Sequence, residues 1–113
     1  MTEQEENELI CERLLRWPSL PLASEHARQQ WLPAGSAKPE YTPTFATALD
    51  GGGVLLEALA RIGQDPGFVK DPHARGYACS LESLPVDFLQ PYRSIWTALR
   101  AAALEYIREA QAP

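Results

Sequence analysis

The residues best suited to chemistry lie between positions 71 and 79. Asp71, His73 and Arg75 place a carboxylate, an imidazole and a guanidinium close together, and these groups serve acid–base catalysis. Cys79 follows on the next stretch of extended chain and is a nucleophile in principle. We favour the simpler interpretation of this segment as a solvated turn followed by a strand. Asp71, His73 and Cys79 are therefore an alternative pocket, and no catalytic residue is predicted.

Two further features of the sequence can be compared with known ligand-binding motifs. Cys11, Cys79, His26 and His73 show none of the local spacings of zinc sites, so we expect no metal and no cofactor. The run 50–54 reads Asp-Gly-Gly-Gly-Val, whereas a phosphate-binding loop continues with Lys and Ser or Thr. We interpret the glycines as a chain break or a close helix contact.

The length of the chain limits the number of domains, and its net charge narrows the classes of partner. The chain has 113 residues, enough for one domain, and a net charge of −5. Nucleic acids and anionic membrane surfaces are polyanions, so we expect neither as a partner. Cys11 and Cys79 are expected to be reduced thiols, and the acidic start differs from a signal peptide. These features predict a cytoplasmic protein; its oligomeric state stays open.

Acidic and aromatic side chains are the candidates for an interface. Glu5, Glu8 and Glu12 lie on one side of the first predicted helix, where they form either a solvated face or a contact for a basic partner. Trp31 and Tyr41 lie in a proline-rich segment and are expected to be exposed. Exposed aromatic residues dominate many binding interfaces.

Three helices are predicted to position these residues. Thr2 and Glu5 have the spacing of a capping box that opens a helix over 3–16. A second helix is expected from 43 to about 62, begun by Thr42-Pro43 and closed by Gly63. The glycine run permits a break in it, with Asp50 as a new cap. An apolar stripe of helical period predicts the third helix over 92–110.

Short strands are predicted between the helices. The expected segments are 27–32, 67–70, 75–81 and a short piece over 84–89. The prediction is thus an α+β domain in helix-β-helix-β-β-helix order, in which three helices cover a small sheet as in an α-β-α sandwich.

This arrangement resembles the phage ABA sandwich domain family. The matching residues are Arg16-Trp17, Trp31-Leu32-Pro33, Tyr41-Thr42 and Ala101-Ala102-Ala103-Leu104. The resemblance implies a bacteriophage or prophage origin and a sheet covered by helices on both faces. The chain departs from the family pattern where Tyr41-Thr42-Pro43-Thr44 replaces Tyr-Ser-Thr-Asp, and at the triple glycine. The family has no established catalytic residues, so the resemblance assigns none to this chain.

Three functions follow as hypotheses. The favoured one is a phage-derived accessory protein that acts through protein–protein contact, as a modulator of a host or defence factor in the host cytoplasm. The second is a small enzyme or ligand-binding domain that uses the 71–79 segment. The third is a homo-oligomeric structural unit.

Overall fold

A computed structural model describes residues 1–71, 73, 76–84 and 91–110. Within this part of the chain, the helices are α1 (Glu3–Ile10), α2 (Gly53–Arg61) and α3 (Ile95–Ala110), and the strands are β1 (Gln30–Trp31), β2 (Glu40–Tyr41), β3 (Gly67–Asp71) and β4 (Gly76–Ser80). The predicted α+β class and element order are confirmed. The strands form two separate antiparallel pairs, β1-β2 and β3-β4. None of the helices in the described ranges is long and apolar enough to cross a membrane.

The first helix begins as its sequence predicts. The amide of Glu5 donates to the Thr2 hydroxyl oxygen at 3.1 Å, and the amide of Thr2 donates to the Glu5 carboxylate at 3.3 Å. This reciprocal capping box satisfies two amides that the first turn leaves without partners. After α1 the chain continues in a π-helical turn over Cys11–Leu15, and Arg16 ends it with a left-handed φ of 54°.

The segment between α1 and α2 forms a small antiparallel ribbon. β1 pairs with β2, with Gln30 opposite Tyr41 and Trp31 opposite Glu40. On the other side of β1, the amide of Leu20 donates to the carbonyl of Gln30 at 3.0 Å. The strand predicted over 27–32 thus forms only at its last residues, and its partner β2 lies where a loop was expected.

The prediction that the second helix starts at position 43 is wrong. Thr47 is the actual N-cap and accepts from the amide of Asp50 at 3.1 Å. A kinked π-helical turn over Ala48–Gly52 follows, and α2 begins only after it. Asp50 (φ −98°, ψ 60°) and Gly51 (φ 89°) lie outside helical dihedrals. The break that the glycine run permits therefore occurs, but the expectation that Asp50 caps the second half is wrong, since the N-cap of α2 is Gly52.

The cause of this late start is packing around a buried phenylalanine. Phe45 has φ 58° and is fully buried, and its amide donates to the carbonyl of Asp50 at 2.9 Å. The Asp50 carboxylate accepts from the amide of Thr44 at 3.2 Å and from the Thr44 hydroxyl. These bonds hold residues 44–50 in a closed loop that a continuous helix would not permit.

The second half of the chain follows the predicted pattern. β3 pairs with β4 from Gly67 opposite Ser80 to Asp71 opposite Gly76. This confirms the strand predicted over 67–70 and, for its described residues, the strand predicted over 75–81; position 75 lies outside the described residues. Leu84 forms a single bridge with Leu81, and the rest of the predicted 84–89 strand lies outside the described residues. α3 begins at Ile95, a few residues later than expected.

The three helices and the ribbon share one core. α3 packs against β4, α2 and α1, and α2 packs against the π-helical turn over Cys11–Leu15. The largest fully buried side chains are Ile10, Cys11, Phe45, Leu55, Leu59 and Leu99. Burial of each large aliphatic side chain stabilises the fold by about 1.5–3 kcal/mol.

Candidate functional site

The structure separates the residues of the 71–79 segment along one hairpin. Asp71 is the last residue of β3, His73 is exposed in the turn, and Cys79 lies in β4 opposite Phe68. Gly76 is the first residue of β4 and lies three positions before Cys79. Three residues of extended chain separate their backbones by roughly 10 Å. His73 lies beyond Gly76, so the strand register does not place it opposite Cys79.

Both thiols are held in their neutral form. Burial raises the pKa of Cys79 from 9.0 to about 11. Burial also raises the pKa of Cys11 to about 12; nearby Glu8 adds to this effect, and a backbone hydrogen bond opposes it. Both cysteines are free, as expected. Because the thiolate is the nucleophilic form, neither side chain is activated at neutral pH.

The acids predicted as an interface have different surroundings. Glu5 is exposed and closes the capping box. Glu8 is half-buried and accepts from Gln4 Nε2 at 3.5 Å, and Glu12 is exposed. The spacing places all three on one helical face. Their role as a contact surface stays a prediction.

A neighbouring acid, Glu6, belongs to a half-buried clamp that the sequence did not reveal. Arg100 Nε donates to Asn7 Oδ1 at 2.8 Å, and Arg100 Nη2 donates to Glu6 Oε1 at 3.1 Å. The side chains of Arg100 and Glu6 are only 16% and 21% exposed. Arg108 Nη2 lies 3.7 Å from Glu6 Oε2. These bonds join α1 to α3 across more than ninety residues of sequence.

An open cleft of about 840 Å³ borders this clamp, between α1, β4 and α3. The arginines on its wall already bind Asn7, Glu6 and Glu105. Because its cations are engaged with the protein's own acceptors, the clamp is better suited to holding two helices together than to binding an anion.

Trp31 is part of the core. The expectation that it would be exposed is wrong, since only 4% of its surface is accessible. Trp31 lies in the central strand of the ribbon, between Ser19 and Glu40. Its indole Nε1 donates to the Thr42 hydroxyl oxygen at 2.8 Å, so the buried polar end of the ring is satisfied.

Tyr41 is exposed as expected, at 50%. The Arg28 guanidinium lies over its ring, with 4.2 Å from Arg28 Cζ to the ring centroid, which is within the range of a cation–π interaction. An open groove of about 370 Å³ lies beside this pair. We call it the Tyr41 groove; it is lined by Pro21, Leu22, Ala23, Ala27, Arg28, Gln30 and Tyr41.

The Tyr41 groove contrasts in charge with the rest of the molecule. None of its seven lining residues is acidic, and Arg28 gives it a positive charge, although the whole chain carries −5. Within the described part of the chain, no ion pair joins Arg28 to a carboxylate, and Glu25, three positions earlier, lies 3.4 Å from His26 instead. Leu22 is 50% exposed at the same groove.

No local pattern in the sequence indicates the role of Arg28. The residue lies thirteen positions before Tyr41, and the two meet because β1 and β2 pair Gln30 with Tyr41. Gln29 Nε2 then donates to the carbonyls of Leu20 and Gln30, at 3.0 and 2.8 Å, which ties the loop bearing Arg28 to the ribbon.

Comparisons with protein-family models, curated proteins and solved structures found no match to this chain. Its resemblance to the phage ABA sandwich domain family therefore stays a prediction. In the described ranges, no three His, Cys, Asp or Glu side chains are grouped so that they could hold a metal ion.

Proposed function

We propose that this protein acts through protein–protein contact and that the Tyr41 groove is its contact surface. The observation that carries the proposal is the position of the Arg28 guanidinium over the Tyr41 ring, beside exposed Leu22. Tyrosine and arginine are among the residues most enriched at the energetic centres of protein interfaces. An exposed pair of these types at a concave apolar surface has the composition of such a centre.

The groove is also held in shape before any partner arrives. Stacking restricts both the Tyr41 ring and the long Arg28 side chain, and contributes about 0.5–1 kcal/mol at an exposed site. The bonds from Gln29 to Leu20 and Gln30 fix the neighbouring backbone. Because ordering these groups on binding costs about 0.5–1.5 kcal/mol for each flexible side chain, prior ordering favours affinity.

The biological setting is part of the same proposal. The resemblance to the phage ABA sandwich domain family supports a phage or prophage origin. On that origin, the partner is a host or defence protein in the bacterial cytoplasm, and the contact modulates its activity.

An affinity capture experiment tests the contact surface. The tagged protein is incubated with bacterial lysate at low and high salt, and retained proteins are quantified by mass spectrometry. Tyr41→Ser and Leu22→Ser are expected to lose a partner that the wild type retains. The matched control is Leu49→Ser, because Leu49 is fully exposed on the loop before α2, so this variant also removes an exposed apolar side chain but leaves the groove intact.

The comparison of these variants decides the outcome. Proteins that the wild type and Leu49→Ser retain and both groove variants lose support the proposal. Equal retention by all four proteins would show that the Tyr41 groove is not the contact surface. Light scattering on the same samples identifies self-association.

A further inference from the structure

We infer that the Tyr41 groove binds an extended peptide segment of the partner in which a carboxylate side chain adjoins an aliphatic one. The inference rests on the proposed function and specifies the chemistry of the occupant. Three properties of the groove lead to it: a positioned cation, an aliphatic wall and an exposed strand edge.

The cation is positioned for a carboxylate. Arg28 Cζ lies over the Tyr41 ring, 4.2 Å from its centroid, and this cation–π contact supplies no oxygen acceptor for the guanidinium N–H groups. A guanidinium presents five N–H donors and binds a planar carboxylate through two parallel hydrogen bonds. Arg28 makes no such pair within the described residues, so an incoming carboxylate does not have to displace an internal one.

The number of charges favours a carboxylate over a phosphate. The groove offers one arginine among its lining residues, which matches the single charge of a carboxylate. A phosphoryl group carries about −1.5 to −2 at neutral pH, and its recognition sites use clusters of arginines. In a protein of net charge −5, the second phosphate charge would find no counter-charge in this groove.

The wall of the groove favours a small aliphatic side chain. Pro21, Leu22, Ala23 and Ala27 form it, and the volume of about 370 Å³ is at the small end of ligand pockets. This space suits one or two side chains of a peptide better than a large aromatic surface.

The neighbouring strand edge favours an extended conformation. Both residues of β2 are exposed, and among the described strands only β1 pairs with it. Its outer edge therefore presents backbone groups to which an incoming strand adds. Side chains alternate between faces, so Glu40 and Tyr41 point to opposite sides. The partner's carboxylate belongs on the Tyr41 side, where it avoids Glu40.

Peptide selection tests this inference directly. A random heptapeptide library displayed on filamentous phage is panned against the full-length wild type, Arg28→Gln and Arg61→Gln. Arg61 is the matched control because it is an exposed arginine on α2 that pairs with Glu57. The wild type and Arg61→Gln are expected to enrich peptides with Asp or Glu beside Leu, Ile or Val. Arg28→Gln is expected to lose this enrichment while keeping the wild-type circular dichroism spectrum.

The affinity of the protein for the best selected peptide provides a quantitative test. Replacement of its acid by Asn or Gln is expected to weaken binding roughly tenfold or more, since the Arg28 guanidinium would lose its charged hydrogen-bond acceptor. The same peptide with phosphoserine at that position is expected to bind no more tightly than the carboxylate form.

Several results would overturn the inference. The first is enrichment of peptides that lack acidic residues, and the second is enrichment of the same peptides by Arg28→Gln as by the wild type. The third is tighter binding of the phosphopeptide than of the carboxylate peptide. The fourth is a wild-type dimer that becomes monomeric in Arg28→Gln. If the capture experiment finds a partner that needs Tyr41 while no acidic peptide is enriched, the proposed function stands and this inference fails. If no partner depends on Tyr41 and no peptide binds, both fail.

Discussion

Replacement of Gly51 by alanine should test how the loop before α2 is built. Gly51 has φ 89°, a conformation that costs an L-residue about 1–2 kcal/mol. A Cβ at this position would lie 2.7 Å from both Phe45 Cδ1 and Pro43 Cβ. Overpacking of a buried site adds about 1–3 kcal/mol. We therefore expect Gly51→Ala to lower the free energy of unfolding by about 2–5 kcal/mol.

Gly63→Ala is the matched control for the conformational part of this cost. Gly63 has a similar φ of 81°, but a Cβ there would have no atom within 4 Å. Its replacement should therefore cost only about 1–2 kcal/mol. The difference between the two variants isolates the steric contact with Phe45 and Pro43.

Urea denaturation followed by circular dichroism measures both variants. In thermal unfolding, each kcal/mol lost from the free energy of unfolding lowers the melting temperature by roughly 4 °C for a chain of this length. If Gly51→Ala proves no more destabilising than Gly63→Ala, the packing of Gly51 against Phe45 does not hold this loop. A double variant with Phe45→Leu gives a second check, because removal of the ring should reduce the cost of Gly51→Ala.

Three other changes test the buried polar groups. Trp31→Phe should lower the unfolding free energy by about 1–2 kcal/mol, because the Thr42 hydroxyl loses its donor; equal urea midpoints for the two proteins would contradict this. Arg100→Met should cost about 1–3 kcal/mol, since the Asn7 Oδ1 acceptor loses its partner, and a loss under ~0.5 kcal/mol would show that the clamp contributes little. The raised pKa of Cys11 predicts that its stabilising contribution is complete below pH 9.0 and is lost as the pH rises towards about 12. Wild-type stability should therefore fall faster than that of Cys11→Ala over this range in pH-dependent urea titrations.

Elements with local signals were predicted well. The capping box of Thr2 and Glu5, the apolar stripe of α3 and the alternation in β4 each depend on residues close in sequence. For such elements, spacing alone indicates which side chains are buried and where a helix begins.

The loop before α2 shows where this reasoning stops. Residues 43–49 have helical spacing, but burial of Phe45 and the hydrogen bonds that Thr44 donates to the Asp50 carboxylate outweigh the local preference. Both effects arise from packing between segments, and helix propensities of under 1 kcal/mol per residue do not override them.

The candidate site was predicted only in part. Tyr41 is exposed as expected, whereas Trp31, its companion in that prediction, is buried. In strands of two residues, the pairing register decides which side chain faces the core. That register also brings Arg28 to Tyr41, and no pattern in the loop between β1 and β2 encodes it. The sequence analysis therefore identified Tyr41 and missed Arg28, which lies over its ring.

The clamp between the first and last helices has a consequence for synthesis. The ribosome makes Asn7 ninety-three residues before Arg100, an interval of roughly 5–20 s at about 5–20 residues per second. Throughout that time α1 cannot form its native contact with α3. The buried face of α1, including Ile10, is consequently available to chaperones. Folding of this domain can be completed only after α3 has left the ribosome.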